Sequence, residues 1–382
     1  MSKDIRPYRL DVPQQQLDDL ARRLDDTRWP DEKAAVGWSY GIPLEYTRGL
    51  VDYWRHSYNW RAQEQRINNF PQFRTEIDGH DVHFIHVRST EPDAVPLILT
   101  HGWPGSIVEF LDVIGPLTDP VAHGGLARDA FHVVVPTLPG FGISGPTSGW
   151  WLPRVASAWA ELMQRLNYDR YIAHGGDMGS VVTKMLGVVD PDHVAGVHLT
   201  DIFAAAVTAD TVNMDDPAEA LAWEKDQRYR GELGGYAALQ STRPQSLAYA
   251  LADSPVGQLA WIVERFKDWT DSVDAPEDAV DRDLLLTNVM IYWLFGTAGS
   301  SARYYKEGAP YWNEPDPGTT VPTAVAVMPG NIHAPVPRIA EQTNNIVRWS
   351  ELPRGGHFAA MEEPELIVED LRAASRQFRE SS

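Results

Sequence analysis

Apolar positions change their spacing several times along this chain, and each change marks a new element. Along D-V-P-Q-Q-Q-L-D-D-L-A-R-R-L-D-D, Leu17, Leu20 and Leu24 recur at i, i+3 and i+7, the spacing of one helix face. A second helical stretch runs from Leu44 to Tyr58, with Tyr46, Leu50, Tyr53 and Trp54 on one side. A third begins at Trp60 and continues through Phe70 to the stop at Pro71. No strand pattern accompanies these helices, so residues 1–72 read as a helical N-terminal arm packed on a larger body. From Phe73 the period falls to two. R-T-E-I-D-G-H-D-V-H-F-I-H-V-R alternates about Asp78-Gly79, which predicts a β-hairpin.

Short apolar strands then alternate with helical stretches. Leu97 to Thr100 runs into H-G-W-P-G-S, Phe131 to Val135 into P-T-L-P-G-F-G-I-S, and a helix is expected over 153–166. Tyr171 opens the next strand and Val194 to Leu199 forms another. This alternation predicts an α/β fold with a mostly parallel sheet flanked by helices, whose ligand crevice lies at the carboxyl ends of the strands. Over 203–318 strand patterns vanish, and S-P-V-G-Q-L-A-W-I-V-E-R-F and L-L-L-T-N-V-M-I-Y-W-L-F are helical. That segment reads as an inserted helical cap between two parts of the core, 73–202 and 319–382, with its boundary in the Pro/Asp/Gly-rich 309–319. The sheet resumes at P-T-A-V-A-V-M-P-G-N, gains a last strand at Ile346 to Trp349, and closes with a helix from Glu363.

The stretch Y-I-A-H-G-G-D-M-G-S, Tyr171 to Ser180, is a strand-turn-helix elbow. Gly175 and Gly179 stand two places either side of Asp177 and let the backbone turn sharply. The following helix points its free N–H groups at the Asp177 side chain and favours negative charge there. An isolated G-x-D-x-G could equally be a helix N-cap. The elbow acid, the insert and a late histidine in R-G-G-H, His357, together fit the nucleophile, acid, histidine order of the α/β-hydrolase fold.

Composition narrows the function. The 382 residues carry a net charge of −20 and no cysteine. Thiol nucleophiles, thiolate metal sites and disulfides are excluded, and a phosphate polyanion or anionic membrane would be repelled. With no run of 18 or more apolar residues and no apolar signal core after Met1, a soluble cytoplasmic protein is expected. Neither a cofactor nor a metal ion is expected.

H-G-W-P-G-S, G-G-D-M-G-S and R-G-G-H-F-A-A-M-E-E-P-E resemble the microsomal-type, juvenile-hormone-type epoxide hydrolases of the α/β-hydrolase superfamily. D-S-P-V-G, N-V-M-I-Y-W and R-Y-Y-K-E in the cap do so too, as do Y-W-R-H-S-Y-N-W and D-V-H-F-I-H-V in the N-terminal segment. The similarity covers nearly the whole chain and extends to soluble bacterial members. The family's membrane-anchor helix is absent here, so this copy is expected to be soluble.

The resemblance implies conversion of a small-molecule epoxide and water to a vicinal diol through an ester on Asp177. A carboxylate suits attack on the strained sp3 carbon of an epoxide. His357 would be the base that hydrolyses the ester, and the backbone N–H groups of Trp103 and Met178 would form the oxyanion hole, with Trp103 also a candidate pocket wall. Tyr236 and Tyr305 match the family's paired tyrosine donors, and Tyr304 competes with Tyr305 because helical neighbours face different ways.

Two positions depart from the family. Met178 stands where close relatives usually carry Trp, and Asn331 stands where the relay acid is expected. Asp201, the first residue past V-A-G-V-H-L-T, is read as the relocated acid, with Glu307, Glu314 and Asp316 as alternatives. The rival readings are a haloalkane-type or fluoroacetate dehalogenase with the same Asp nucleophile, and a non-catalytic binding protein of this fold. No partner besides the substrate is expected, except a second copy in a homodimer.

Overall fold

The strand-period stretches pair into one nine-stranded sheet in the computed structural model, which describes residues 4–203, 207–309 and 317–380. Its strands are β1 (Arg6–Tyr8), β2 (Gln72–Ile77), β3 (His80–Val87), β4 (Val95–Thr100), β5 (Phe131–Pro136), β6 (Tyr171–Gly175), β7 (Val194–Leu199), β8 (Thr319–Val327) and β9 (Asn344–Glu351). They lie in the order β1-β2-β3-β5-β4-β6-β7-β8-β9. The first four of that order are antiparallel neighbours, and from β5 to β9 every pairing is parallel. Parallel neighbours need helical crossovers, and burial on both faces explains why β4 to β7 read as apolar runs.

Register decides what the sheet presents. Thr100 pairs with Gly175, and Gly175 with Leu199, so β4, β6 and β7 stop at one level. The segments that leave them, beginning at His101, Gly176 and Thr200, therefore emerge side by side.

The N-terminal region holds α1 (Gln14–Asp25), α2 (Leu44–His56) and α3 (Trp60–Asn68). The absence of strands expected there is corrected by β1, which pairs antiparallel with β2 and caps the sheet edge. These helices also bind the insert. Tyr53 Oη donates to Asp283 Oδ1 at 2.8 Å, Tyr46 Oη to Glu277 Oε2 at 2.9 Å, and the Trp54 indole reaches Met290 Sδ.

In the core, α4 (Leu111–Thr118), α5 (Leu152–Arg165) and α6 (Met178–Val189) flank the sheet. Between β7 and β8 lie α7 (Pro217–Arg228), a π turn (Tyr229–Leu233), α8 (Gly235–Thr242), α9 (Pro244–Asp253), α10 (Pro255–Trp269), α11 (Arg282–Phe295) and α12 (Ala298–Gly308). Ser254 of D-S-P-V-G caps α10 by accepting from Gly257 N–H at 2.9 Å, with Pro255 at the first helical position. Short helices α13 (Pro337–Ala340) and α14 (Ala359–Glu362) precede the closing α15 (Pro364–Glu380). No helix among the described residues is long and apolar enough to cross a membrane.

Candidate active site

Asp177 joins β6 to α6 in a conformation that side chains rarely adopt, with φ 50° and ψ −131°. Such strain costs about 1–3 kcal/mol and persists where the surroundings impose it. Glycine makes the turn possible. A Cβ on Gly179 would lie 1.9 Å from the Thr100 carbonyl oxygen, and one on Gly102 would lie 2.3 Å from Asp177 Oδ1. The elbow thus sits against the loop that leaves β4.

That loop delivers a donor. Trp103 N–H donates to Asp177 Oδ1 at 2.9 Å. Met178 opens α6, so its N–H has no acceptor within the helix. The loop itself is clamped from the insert, because Asn288 Nδ2 donates to Pro104 O and Tyr292 Oη to Gly105 O, each at 2.7 Å. Those two residues of N-V-M-I-Y-W therefore fix where the Trp103 N–H points.

The other carboxylate oxygen faces histidine. His357 Nε2 lies 3.4 Å from Asp177 Oδ2, and the backbone N–H of His357 donates to Trp269 O at 2.8 Å. On the far side of the ring, Nδ1 lies 3.2 Å from Asn331 Oδ1 and 3.8 Å from Asp201 Oδ2. Asn331 is held in that sense because its Nδ2 donates to Asp201 Oδ1 at 2.7 Å. Its oxygen can only accept, so when the imidazole is neutral its proton sits on Nδ1 and Nε2 keeps the lone pair. Asp201 Oδ2 also accepts from Asp177 N–H at 2.8 Å, tying the elbow to the end of β7.

Burial works to lower the pKa of His357, but the charge of Asp201, then the hydrogen bond and charge of Asp177, outweigh it and raise it to about 9. Glu109, from the segment after the H-G-W-P-G loop, is pushed by burial to about 8. His357 draws it down, while Asp177 and Asp201 push it further up.

Asp177, His357, Asp201, Met178, Tyr236 and Tyr305 line one cavity of about 480 Å³. Trp103 stacks on Tyr236, with ring centroids 5.1 Å apart and planes 7° from parallel, and meets Tyr305 edge-on at 5.7 Å. Trp103 therefore does not line the cavity itself: its side chain backs the two tyrosines, and its backbone N–H reaches Asp177. Burial raises both tyrosine pKa values well above the ordinary value, so both remain O–H donors. Tyr304 is turned the other way, its hydroxyl donating to Pro139 O.

Of the alternative acids, Glu307 accepts from Gly149 N–H at 2.9 Å, while Glu314 and Asp316 lie outside the described residues. Three residues near the site escaped the sequence reading. Tyr229 Oη sits 3.2 Å from Tyr236 Oη, His333 packs on Tyr229 at 5.0 Å, and Lys225 reaches the Asn331 loop. Tyr229 and Lys225 sit in a charged stretch whose pattern gives no sign of a site. A larger cavity, about 680 Å³, lies between Trp29, Tyr40 and Pro255 and contains none of these side chains.

Over 378 residues, 98% of its length, the chain is 48% identical to a Stigmatella aurantiaca protein provisionally named an epoxide hydrolase, of which it covers 86%. The chain belongs to the epoxide hydrolase family. Epoxide hydrolase 1 of Oryctolagus cuniculus is 34% identical, with 97% of this chain and 88% of that protein aligned. Residues 5–110 match the family model for the epoxide hydrolase N terminus, and residues 95–241 that for the alpha/beta hydrolase fold. A solved structure of an enantioselective mutant of the Aspergillus niger epoxide hydrolase superposes with a TM-score of 0.87 at 31% identity, covering 98% of this chain and 97% of the other. The epoxide hydrolase described here is thus an enzyme with the α/β-hydrolase fold, as its motifs implied. The dehalogenase and binding-protein readings are not favoured.

Proposed function

We propose that this epoxide hydrolase works in two half-reactions through an ester on Asp177. The observation that carries the reading is the division of labour between the two Asp177 oxygens. Oδ1 rests on the Trp103 N–H while Oδ2 faces His357, in a cavity that also contains Tyr236 and Tyr305.

Oδ2 attacks a ring carbon, the carbon–oxygen bond breaks, and its electron pair passes to the epoxide oxygen. That oxygen takes a proton from a tyrosine hydroxyl, whose hydrogen bond strengthens as the alkoxide forms. The ester carbonyl oxygen is then Oδ1, already on the donor that a tetrahedral oxyanion requires, with Met178 N–H beside it. His357 Nε2 removes a proton from water, which attacks the ester carbon. Collapse releases the diol, the alkoxide taking the proton from His357. The remaining acid proton returns to the tyrosinate.

Asp201 is the proposed acid, acting on His357 through its charge at 3.8 Å and through Asn331, which bridges the two. Residues 203–318 serve as the cap in this reading. The setting proposed is the cytoplasm, with the net charge of −20 opposing nucleic acid and anionic membrane.

Leu152, Val181, Ile202 and Val207 line the cavity and suit an apolar skeleton, so styrene oxide is the first substrate to test. Diol should form from it, and no diol from styrene oxide or from a panel of aryl and alkyl epoxides would overturn the proposal.

The tyrosines give a sharper expectation. Tyr305→Phe and Tyr236→Phe should each slow alkylation by roughly tenfold to a thousandfold, the loss expected for one transition-state donor. Stopped-flow tryptophan fluorescence under single-turnover conditions measures this step, with Trp103 and Trp269 against the tyrosines as reporters. Unchanged alkylation in both variants would remove the tyrosines from the mechanism.

A further inference from the structure

Asn331 joins Asp201 to His357, and its position depends on a residue 106 places away in sequence. Lys225 Nζ, on α7, donates to the Asn331 carbonyl at 2.6 Å and to the Pro329 carbonyl at 2.8 Å. On its other side the same loop is tied towards the histidine, since Gly330 N–H donates to Gly355 O at 2.8 Å, two residues before His357. The M-P-G-N loop is thus held between the insert and the segment that carries the histidine.

We propose that Lys225 is a positioning residue for ester hydrolysis, a role that rests on the two-step reading above. The Nδ1 contact to Asn331 is already 3.2 Å long, so a small shift of the loop breaks it. Breaking it frees the imidazole to change tautomer or rotate, and a base with its proton on Nε2 cannot activate water. Attack by Asp177 and donation by Tyr236 and Tyr305 do not use this loop. The lysine should therefore act on one half-reaction only.

The location of Lys225 adds a consequence. Its helix and the π turn after it also supply Ala222, Asp226, Tyr229 and Arg230 to the cavity wall. Substrate contact and relay geometry share one element, so the wall cannot shift without moving the Lys225 anchor. An ammonium suits this task because it can donate to two carbonyls at once, as charge-assisted hydrogen bonds.

The test compares Lys225→Met and Lys225→Arg with the wild-type enzyme, using styrene oxide, rapid quench and intact-protein mass spectrometry. In Lys225→Met, alkylation should stay within about twofold of wild type, while ester hydrolysis slows by roughly tenfold to a hundredfold, the scale of a misplaced catalytic group. The alkyl-enzyme should then accumulate, with kcat and KM falling together and kcat/KM preserved. Lys225→Arg, whose guanidinium can also span two carbonyls, should recover most of the hydrolysis rate. In an Asn331→Ala background, adding Lys225→Met should change hydrolysis no further.

Wild-type hydrolysis in Lys225→Met, an equal fall in both steps, or additive effects with Asn331→Ala would overturn the role of the lysine while leaving the ester mechanism standing. Absence of any alkyl-enzyme, including in a His357→Gln variant made to trap it, would instead overturn the two-step reading and the lysine's role with it.

Discussion

Single-turnover hydrolysis in oxygen-18 water should leave label in the Asp177 carboxylate, and Asp177→Ala should lower turnover by on the order of 10⁴-fold or more. In the proposed mechanism water attacks the ester carbon, and collapse breaks the bond from that carbon to the substrate oxygen. The entering oxygen therefore stays on the enzyme. Proteolysis and mass spectrometry of the peptide around Asp177 would locate it. The geometry explains the size of the expected loss. Among the described residues, no other carboxylate has one oxygen on the Trp103 N–H and the other facing His357 Nε2. Asp201 is committed to Asp177 N–H and Asn331, and burial keeps Glu109, with a pKa of about 8, largely protonated at neutral pH. Label found only in the diol would mean direct attack of water on the epoxide, and would sink the nucleophile assignment.

The second large effect is expected from Asp201→Asn, which should slow ester hydrolysis by about 10²- to 10⁴-fold and trap the alkyl-enzyme. An amide at this position can still accept from Asp177 N–H through its oxygen. Its NH₂ group would then face the Asn331 NH₂ group, now 2.7 Å from Asp201 Oδ1, and Asn331 would have to flip. A flipped Asn331 offers donors to Nδ1 and forces the imidazole proton onto Nε2, where it blocks the base.

The pH dependence carries an independent sign. As the proposed base, His357 would act only when neutral, so hydrolysis should rise with pH through its pKa. In the resting enzyme Asp201 and Asp177 hold that pKa near 9. Esterification removes the Asp177 charge, so the acid limb of wild-type hydrolysis should lie below about 9. Asp201→Asn removes the other charge and should move the limb lower still, together with the lower maximum. An Asp201→Asn enzyme with wild-type turnover, no trapped ester and an unmoved limb would place the relay acid elsewhere.

Much of this architecture was legible because it is written in local patterns. The hairpin about Asp78-Gly79, the apolar strands β4 to β7, the insert helices α10 and α11 and the elbow at Asp177 each follow from spacing within about ten residues. β1 was not legible, since a three-residue strand has no period of its own and exists through its ladder with β2. The choice of Tyr305 over Tyr304 rested on the family resemblance and not on local spacing, because neighbours on one helix differ only in what packs against them. Packing gave the Tyr304 hydroxyl to Pro139 O and set Tyr305 in the cavity.

The proposed acid shows where the division falls. Sequence alone could locate Asp201 as the first residue past its strand, since strand ends follow from the apolar run, and could see Asn331 in the later loop. It also determined the family, through motifs spread over nearly the whole chain. Only the tertiary structure could decide that Asn331 lies between Asp201 and His357, and that Lys225, on an insert helix the sequence did not single out, donates to the loop that carries Asn331. Hydrogen bonds between residues more than a hundred places apart depend on strand register and helix docking, which no local spacing encodes.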